Sequence, residues 1–439
     1  MAPVNVLVTV MPFAGHVAPV TRAVEALLRA GHRVRVYVGS AYTSAFESIG
    51  ATAIPWHAAP DFDEQDLRGT FPEVGRRGPR GLLANVEHIF IRSGTGQVAD
   101  LVAEFEDDPW DVLLADSLSI GGALAAERTG TPWATLSVVP LSMPSRDLPP
   151  PNLVVPPARG LPGRIRDSAL RALVELATGA LRRSYRDTRA SVGLDPRGKR
   201  MTEAWFSPFV ILALGVPGLE TPRSDLPDHV HFIGAFPPPV TASPAAPRLR
   251  DLLSGTEPVV HVTQGTFNTD PHDLLEPSLD ALADPDVSVV ATTGRRGRND
   301  LPFPVPANAL VVDLAPYAEL LPRSSQMITN GGWGGVLAAL AQGVPLIIAG
   351  DDLDKPAIAA MVARSGSGID LRTGRPTART VARAVDRIRT DPRYAERTAG
   401  LAAEFAAHDT AAEVVALLQV LADTSAPVRR SSYPWPTVR

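Results

Sequence analysis

Short apolar runs alternate with amphipathic stretches along this chain. Residues 4–11 (VNVLVTVM) are apolar and β-branched almost throughout, the pattern of a strand buried on both faces. Residues 19–30 continue with helical periodicity and end at Gly31, a helix-stop residue. A second strand is predicted at 33–38, and 111–115, 120–128 and 133–138 repeat strand, helix and strand. Strands separated by helices of this length predict parallel βαβ units. The proline-rich segment 141–163 breaks the rhythm, but the strand pattern resumes at 209–214. It is therefore expected to be a long surface excursion over a binding face rather than a domain boundary, with one or two helices after it at 164–192.

The boundary is expected later. Residues 235–249 (AFPPPVTASPAAPRL) have a linker composition. Beyond them a second alternation begins, with strands at 259–263, 287–292, 309–312, 327–329 and 346–349 and helices near 272–282, 334–342, 356–364, 377–389 and 393–406. The last apolar helix is expected at 410–422, before a polar tail. The fold class is α/β, two Rossmann-like doubly wound domains facing each other across a cleft. The expected domains are 1–234, a linker at 235–249, and 250–409, with 410–439 packing back toward the first. Ligands bind at the C-terminal ends of such parallel strands.

Composition narrows the function. A chain of 439 residues is too long for one core, which agrees with two domains. The net charge of −5 gives no reason to expect nucleic acid or an anionic membrane as partner. Cysteine is absent, which excludes disulfides, thiolate metal sites and a cysteine nucleophile. The apolar N-terminus reads as a buried strand rather than a signal peptide. No run approaches the ~20 apolar residues of a membrane span. A cytoplasmic location is expected.

Candidate chemistry clusters at predicted strand ends. His16 (MPFAGH) follows the first strand; a neutral imidazole there could accept a proton from a hydroxyl, though a lone histidine is more often structural. No G-x-G-x-x-G accompanies it, which argues against a nicotinamide cofactor. Asp116 ends a parallel strand and could orient His16, or could simply cap the next helix. In the second half, Gly265 and Thr266 end one strand, and Asn330-Gly331-Gly332-Trp333-Gly334-Gly335 opens a helix after another. Bare amides and the helix dipole at such a turn favour an anion such as a phosphate. The plainer reading is a tight turn. Asp352-Leu353-Asp354 spells D-x-D, a pattern too short to support a metal site, and Asp354-Lys355 ends the segment.

Together these motifs resemble the GT-B glycosyltransferases, specifically the plant secondary-metabolite and bacterial macrolide and antibiotic glycosyltransferases. The resemblance covers almost the whole chain. It rests on Gly15-His16, the proline-rich stretch 148–163, the Gly265-Thr266 turn, Ala315-Pro316 and the signature 329–371. It implies inverting transfer from a UDP- or dTDP-sugar to a hydroxyl or amine of a small, largely apolar natural product. It further implies that His16 is the base, that Asp116 supports it, and that the C-terminal half binds the donor. Gly265, Thr266 and 330–335 would lie at the diphosphate, and Asp354 and Lys355 at the sugar. No metal or other cofactor is implied. Four positions depart from the family pattern: Asn330 for histidine, Ala338 for the ribose-binding glutamate, Lys355 for glutamine, and Leu314-Ala315-Pro316-Tyr317 where an indole usually stacks on the base. These departures keep a second expectation open, a non-catalytic glycosyltransferase-like protein that activates a partner enzyme.

Overall fold

Among the residues that the computed structural model describes (2–430 without 76–77, 152, 159, 239–245, 256–258, 266–267 and 269), thirteen strands form two parallel sheets. The first contains β1 (Asn5–Thr9), β2 (Arg33–Val38), β3 (Thr52–Pro55), β4 (Val112–Asp116), β5 (Trp133–Ser137), β6 (Val210–Ala213) and β7 (Val230–Phe232) in the order β3-β2-β1-β4-β5-β6-β7. The second contains β8 (Val259–Thr263), β9 (Ser288–Thr292), β10 (Ala309–Val312), β11 (Ser324–Thr329), β12 (Leu346–Ile348) and β13 (Gly368–Asp370) in the order β10-β9-β8-β11-β12-β13. Each sheet is doubly wound. Strand order reverses between β1 and β4 in one and between β8 and β11 in the other.

The chain divides into two units. One comprises Met1–Leu214, Pro222–Ile233 and Asp409–Arg439; the other comprises Gly215–Thr221 and Gly234–His408. The short piece Gly215–Thr221 joins the second unit through specific bonds. The Gly218 N–H donates to Glu404 Oε2 at 2.7 Å, and the Arg397 guanidinium donates to the Gly218 carbonyl. A Cβ at Gly218 would lie 2.1 Å from the Glu404 carboxylate, so a larger residue there would displace this bond.

In the first unit β4 (VLLAD) and β5 (WATLS) are buried at every position, their few polar residues, Asp116, Thr135 and Ser137, included. The helix Ile120–Thr129 lies close to the sheet because Gly122 has no side chain; a Cβ there would meet Thr9 Oγ1 at 2.3 Å. The C-terminal helix Thr410–Thr424 buries Val414, Leu418 and Leu421, and Asp409 caps it by accepting from the Ala412 N–H at 3.1 Å. Beyond it the chain returns to β6 and β7. Val428 N–H donates to the Phe209 carbonyl at 3.0 Å, and Arg430 N–H donates to that of Asp228 at 2.8 Å.

The structure shifts several sequence expectations. The first helix starts at Ala14, not 19, so His16 lies in its first turn. Segment 164–192 forms two helices, Gly160–Ala177 and Gly179–Ser191. Residues 246–249, read as linker, begin the helix Ala246–Ser254. The elements β3, β7, β13 and the π-helical turn Val86–Arg92 carry no clear periodic signal and were not expected.

Candidate functional site

In the first unit, the reversal between β1 and β4 brings His16 and Asp116 together. The strands run parallel with Thr9 opposite Ala115, so the loop leaving β1 and the last residue of β4 emerge at the same edge. His16 Nδ1 lies 2.7 Å from Asp116 Oδ2. The carboxylate is fully buried, whereas the imidazole keeps 12% of its side chain exposed. Two amides hold Asp116 as an acceptor: Met11 N–H reaches Oδ2 at 3.1 Å and Leu118 N–H reaches Oδ1 at 3.0 Å. A carboxylate so occupied takes its bond from Nδ1–H, and the tautomer this selects carries its lone pair on Nε2.

Glu64 fixes the start of the helix that carries His16. Its Oε2 accepts from the Ala14 N–H at 3.0 Å, and its Oε1 accepts from the Tyr42 hydroxyl at 2.6 Å. An acidic group at a helix start is electrostatically favoured, and here it comes from fifty residues away. Gly15 leaves open ground beside the base, since a Cβ there meets nothing within 4 Å. A row of aromatic rings also approaches His16. Phe13 lies 5.6 Å from His16, 5.3 Å from Phe62 and 6.0 Å from Phe90, and Phe90 lies 6.4 Å from Trp205, centroid to centroid. Phe13, Phe90 and Trp205 remain half-buried. Glu64 and these rings were not singled out from sequence. They come from distant segments, and no local pattern links them.

In the second unit the expected turns meet at its own reversal point, where Thr263 of β8 pairs with Thr329 of β11. Gly265 and Gly331 both adopt positive φ, +72° and +91°. Thr266 lies outside the described residues. The helix Trp333–Ala341 starts at Gly332, and its first backbone bond runs from Val336 N–H to the Gly332 carbonyl. The preceding first-turn N–H groups therefore have no partner within the helix. Gly332 and Gly334 are exposed, and nothing lies within 4 Å of a Cβ built on Gly334. Gly335 follows in the same turn. This is bare backbone of the kind that an anion can approach.

The side chains of this turn are occupied elsewhere. Asn330 is buried and donates its amide to the Gln264 carbonyl, stitching the end of β11 to the end of β8. The Trp333 indole is buried beside Gly215, so the backbone of this residue, not its ring, borders the turn. Tyr317 packs edge-on against His261 at 5.4 Å, and burial pushes its hydroxyl up to about 12. Asp354 precedes the helix Lys355–Ser365 without capping it by its side chain. The stem of Lys355 runs over Gly350, where a Cβ would come within 2.7 Å of Lys355 Cβ and 2.3 Å of the Asn330 carbonyl. Lys355 Nζ pairs with Asp352 Oδ1 at 2.6 Å, so the first Asp of the D-x-D is an ion-pair partner. Among the described residues, no group of three or more His, Cys, Asp or Glu is arranged to hold a metal ion.

Residues 276–421 match the family described as erythromycin biosynthesis protein CIII-like, C-terminal domain. The chain is 38% identical over 423 residues to 4'-demethylrebeccamycin synthase of Lentzea aerocolonigenes, covering 95% of this chain and 99% of that one. It is 31% identical over 417 residues to UDP-glucosyltransferase A1 of Starmerella bombicola, covering 91% and 88%. Among solved structures, the glycosyltransferase of kitacinnamycin matches with a TM-score of 0.72 at 23% identity, over 95% of this chain and 98% of that one. The glycosyltransferase VinC in complex with dTDP matches with a TM-score of 0.63 at 24% identity, over 95% and 99%. The fold shared with those structures and the full-length similarity to those relatives agree: the chain belongs to the antibiotic and natural-product glycosyltransferases of the GT-B fold, which use sugar-nucleotide donors.

Proposed function

We propose that the protein is an inverting glycosyltransferase that moves a sugar from a UDP- or dTDP-sugar to a hydroxyl or amine of a small, largely apolar natural product. The observation that carries this reading is the 2.7 Å pair between His16 and the buried Asp116, with the imidazole partly open to the surface. In this mechanism His16 Nε2 accepts the acceptor proton as the acceptor atom bonds to the anomeric carbon. The bond from that carbon to the diphosphate breaks, and the nucleoside diphosphate leaves with the electron pair. Attack from the face opposite the leaving group inverts the anomeric centre. Asp116 stabilises the imidazolium that forms. The glycine turn 331–335, with Gly265, stabilises the leaving diphosphate through amides and the helix dipole, without a metal. Asp354 and Lys355 lie at the sugar end. The half-buried aromatic row beside His16 supports an apolar acceptor.

The test is His16→Ala. Turnover should fall by about 10²–10⁴-fold, the usual contribution of a positioned general base. UDP or dTDP should still raise the melting temperature of this variant, because a ligand that binds only the folded state stabilises it. Retained turnover would sink the mechanism. The inward engagement of Asn330 and of the Trp333 ring favours one second reading, the non-catalytic activator of a partner enzyme. That reading gains if neither nucleotide shifts the melting temperature of the unaltered protein.

A further inference from the structure

The helix Gly160–Ala177 carries an apolar face that the protein leaves uncovered. Ten large hydrophobic residues are exposed among the described residues, and six of them fall within 153–176, so this is not random surface scatter. Four lie on this helix: Leu161, Ile165, Leu173 and Leu176 are 71%, 62%, 60% and 78% exposed. At about 100° per residue they fall within about 120° of arc. The opposite arc carries buried Asp167 and half-buried Leu170 and Val174, which face the protein. Arg164 and Arg166, both exposed, lie on the two sides of the apolar arc, and Glu175, which lies between Leu161 and Arg164 around the helix, pairs with Arg182 at 2.6 Å.

Charge follows the same segment. Residues 160–191 hold seven arginines against three carboxylates; Arg189 is fully buried against Glu127, which leaves the hairpin a net charge of +3 outside that pair. Arg183 and Arg186 of the following helix Gly179–Ser191 are also exposed. The overall charge, which gave no reason to expect an anionic surface as partner, conceals this concentration.

We propose that this helix hairpin docks the protein on an anionic lipid bilayer, with the Leu161–Ile165–Leu173–Leu176 stripe entering the acyl boundary and the arginines meeting the headgroups. An apolar stripe edged by arginines is the composition of a helix that lies in the membrane plane. A nucleic acid would satisfy the arginines but offers no hydrocarbon to the leucines. A second copy would offer apolar surface but would bring two positively charged segments together. The partner that satisfies both features is an interface of anionic headgroups over hydrocarbon.

The experiment is vesicle flotation of the full chain with phosphatidylcholine alone and with phosphatidylglycerol added. Binding is expected only to the anionic vesicles, and it should weaken as salt rises. Replacing Leu161, Ile165, Leu173 and Leu176 together by Asn should weaken it at least about tenfold. The solvated triple variant Arg164→Glu, Arg183→Glu, Arg186→Glu tests the charge independently of the apolar set and should abolish the preference for anionic vesicles. Failure of the unaltered protein to float with anionic vesicles overturns the proposal, and so does undiminished binding by both variants. Sedimentation velocity supplies a third arm: a dimer that the Asn variant dissolves would assign the face to self-association instead.

Discussion

At the scale of single residues, His16 is defined by the groups that hold it. Asp116 accepts from two backbone amides as well as from the imidazole, so it is fixed before any ligand arrives. Asp116→Asn keeps the shape but removes the charge that stabilises an imidazolium. It should lower kcat by about 10²-fold or more while KM changes little, the pattern of an interaction made in the transition state; steady-state kinetics decide it. A second histidine behaves oppositely. Burial lowers the pKa of His261 to about 4, and its Nδ1 faces the Val290 carbonyl at 3.0 Å. An unfolded histidine takes its proton near 6.5, so between about 6.5 and 4 the unfolded chain binds more protons than the folded one. Stability should therefore fall as pH drops through that window, by up to about 1.4 kcal/mol per unit for this group. His229 and His231, also lowered by burial, act in the same direction. Urea midpoints at pH 7 and pH 5 should differ less for His261→Gln than for the parent; an equal difference refutes the assignment. His16 and Asp116 were legible in the sequence because each follows or ends a strand. Glu64, Phe62 and Phe90 were not, since their roles exist only once remote segments meet.

At the scale of elements, glycines separate tight joints from open ground. Gly350 lets β12 turn beneath Asn330 and Lys355, and a Cβ there would meet the Asn330 carbonyl at 2.3 Å. Gly350→Ala should destabilise the protein by about 1–3 kcal/mol through overpacking and should weaken nucleotide binding by displacing the turn. Gly15 is the opposite case. Gly15→Ala adds a methyl to a helix at a place with no neighbour within 4 Å, so thermal stability should hold or rise by about 0.5–1 kcal/mol. The acceptor KM should rise if the space beside His16 receives the acceptor. Elements with strong periodicity, such as β8, β10 and the helix Arg393–Ala406, were readable to the residue. The three-residue strands β7 and β13 were not, because so short an edge strand has too few positions for alternation to show. The glycine turn was legible as bare backbone that opens a helix after a strand. That the Asn330 and Trp333 side chains turn inward was not, because spacing fixes where a residue falls but not where its side chain points.

At the scale of the whole chain, each unit has its own doubly wound sheet, and the first is completed by residues 409–430. Val414, Leu418 and Leu421 are buried there, Thr410 Oγ1 donates to the Ile233 carbonyl at 2.5 Å, and Arg430 reaches the Pro227 and Val230 carbonyls at 3.0 Å. A chain ending at 408 should therefore lose stability by several times the ~1 kcal/mol of an average substitution, and it should do so in the first unit. Hydrogen exchange resolved by peptide would show protection lost across β1, β4 and β6; unchanged protection there would contradict the packing. This discontinuity also sets a schedule for synthesis. Domains generally mature in the order in which they leave the ribosome, but here the unit that begins first cannot be completed until residues 409–430 have been made. The second unit, whose pieces end at His408, has its full sequence before the first does. A stop codon or frameshift just after residue 408 would leave the glycine turn 331–335 in a unit with its full sequence, and the unit that carries His16 without its closing helix. Quality control therefore falls most heavily on the unit whose synthesis starts first.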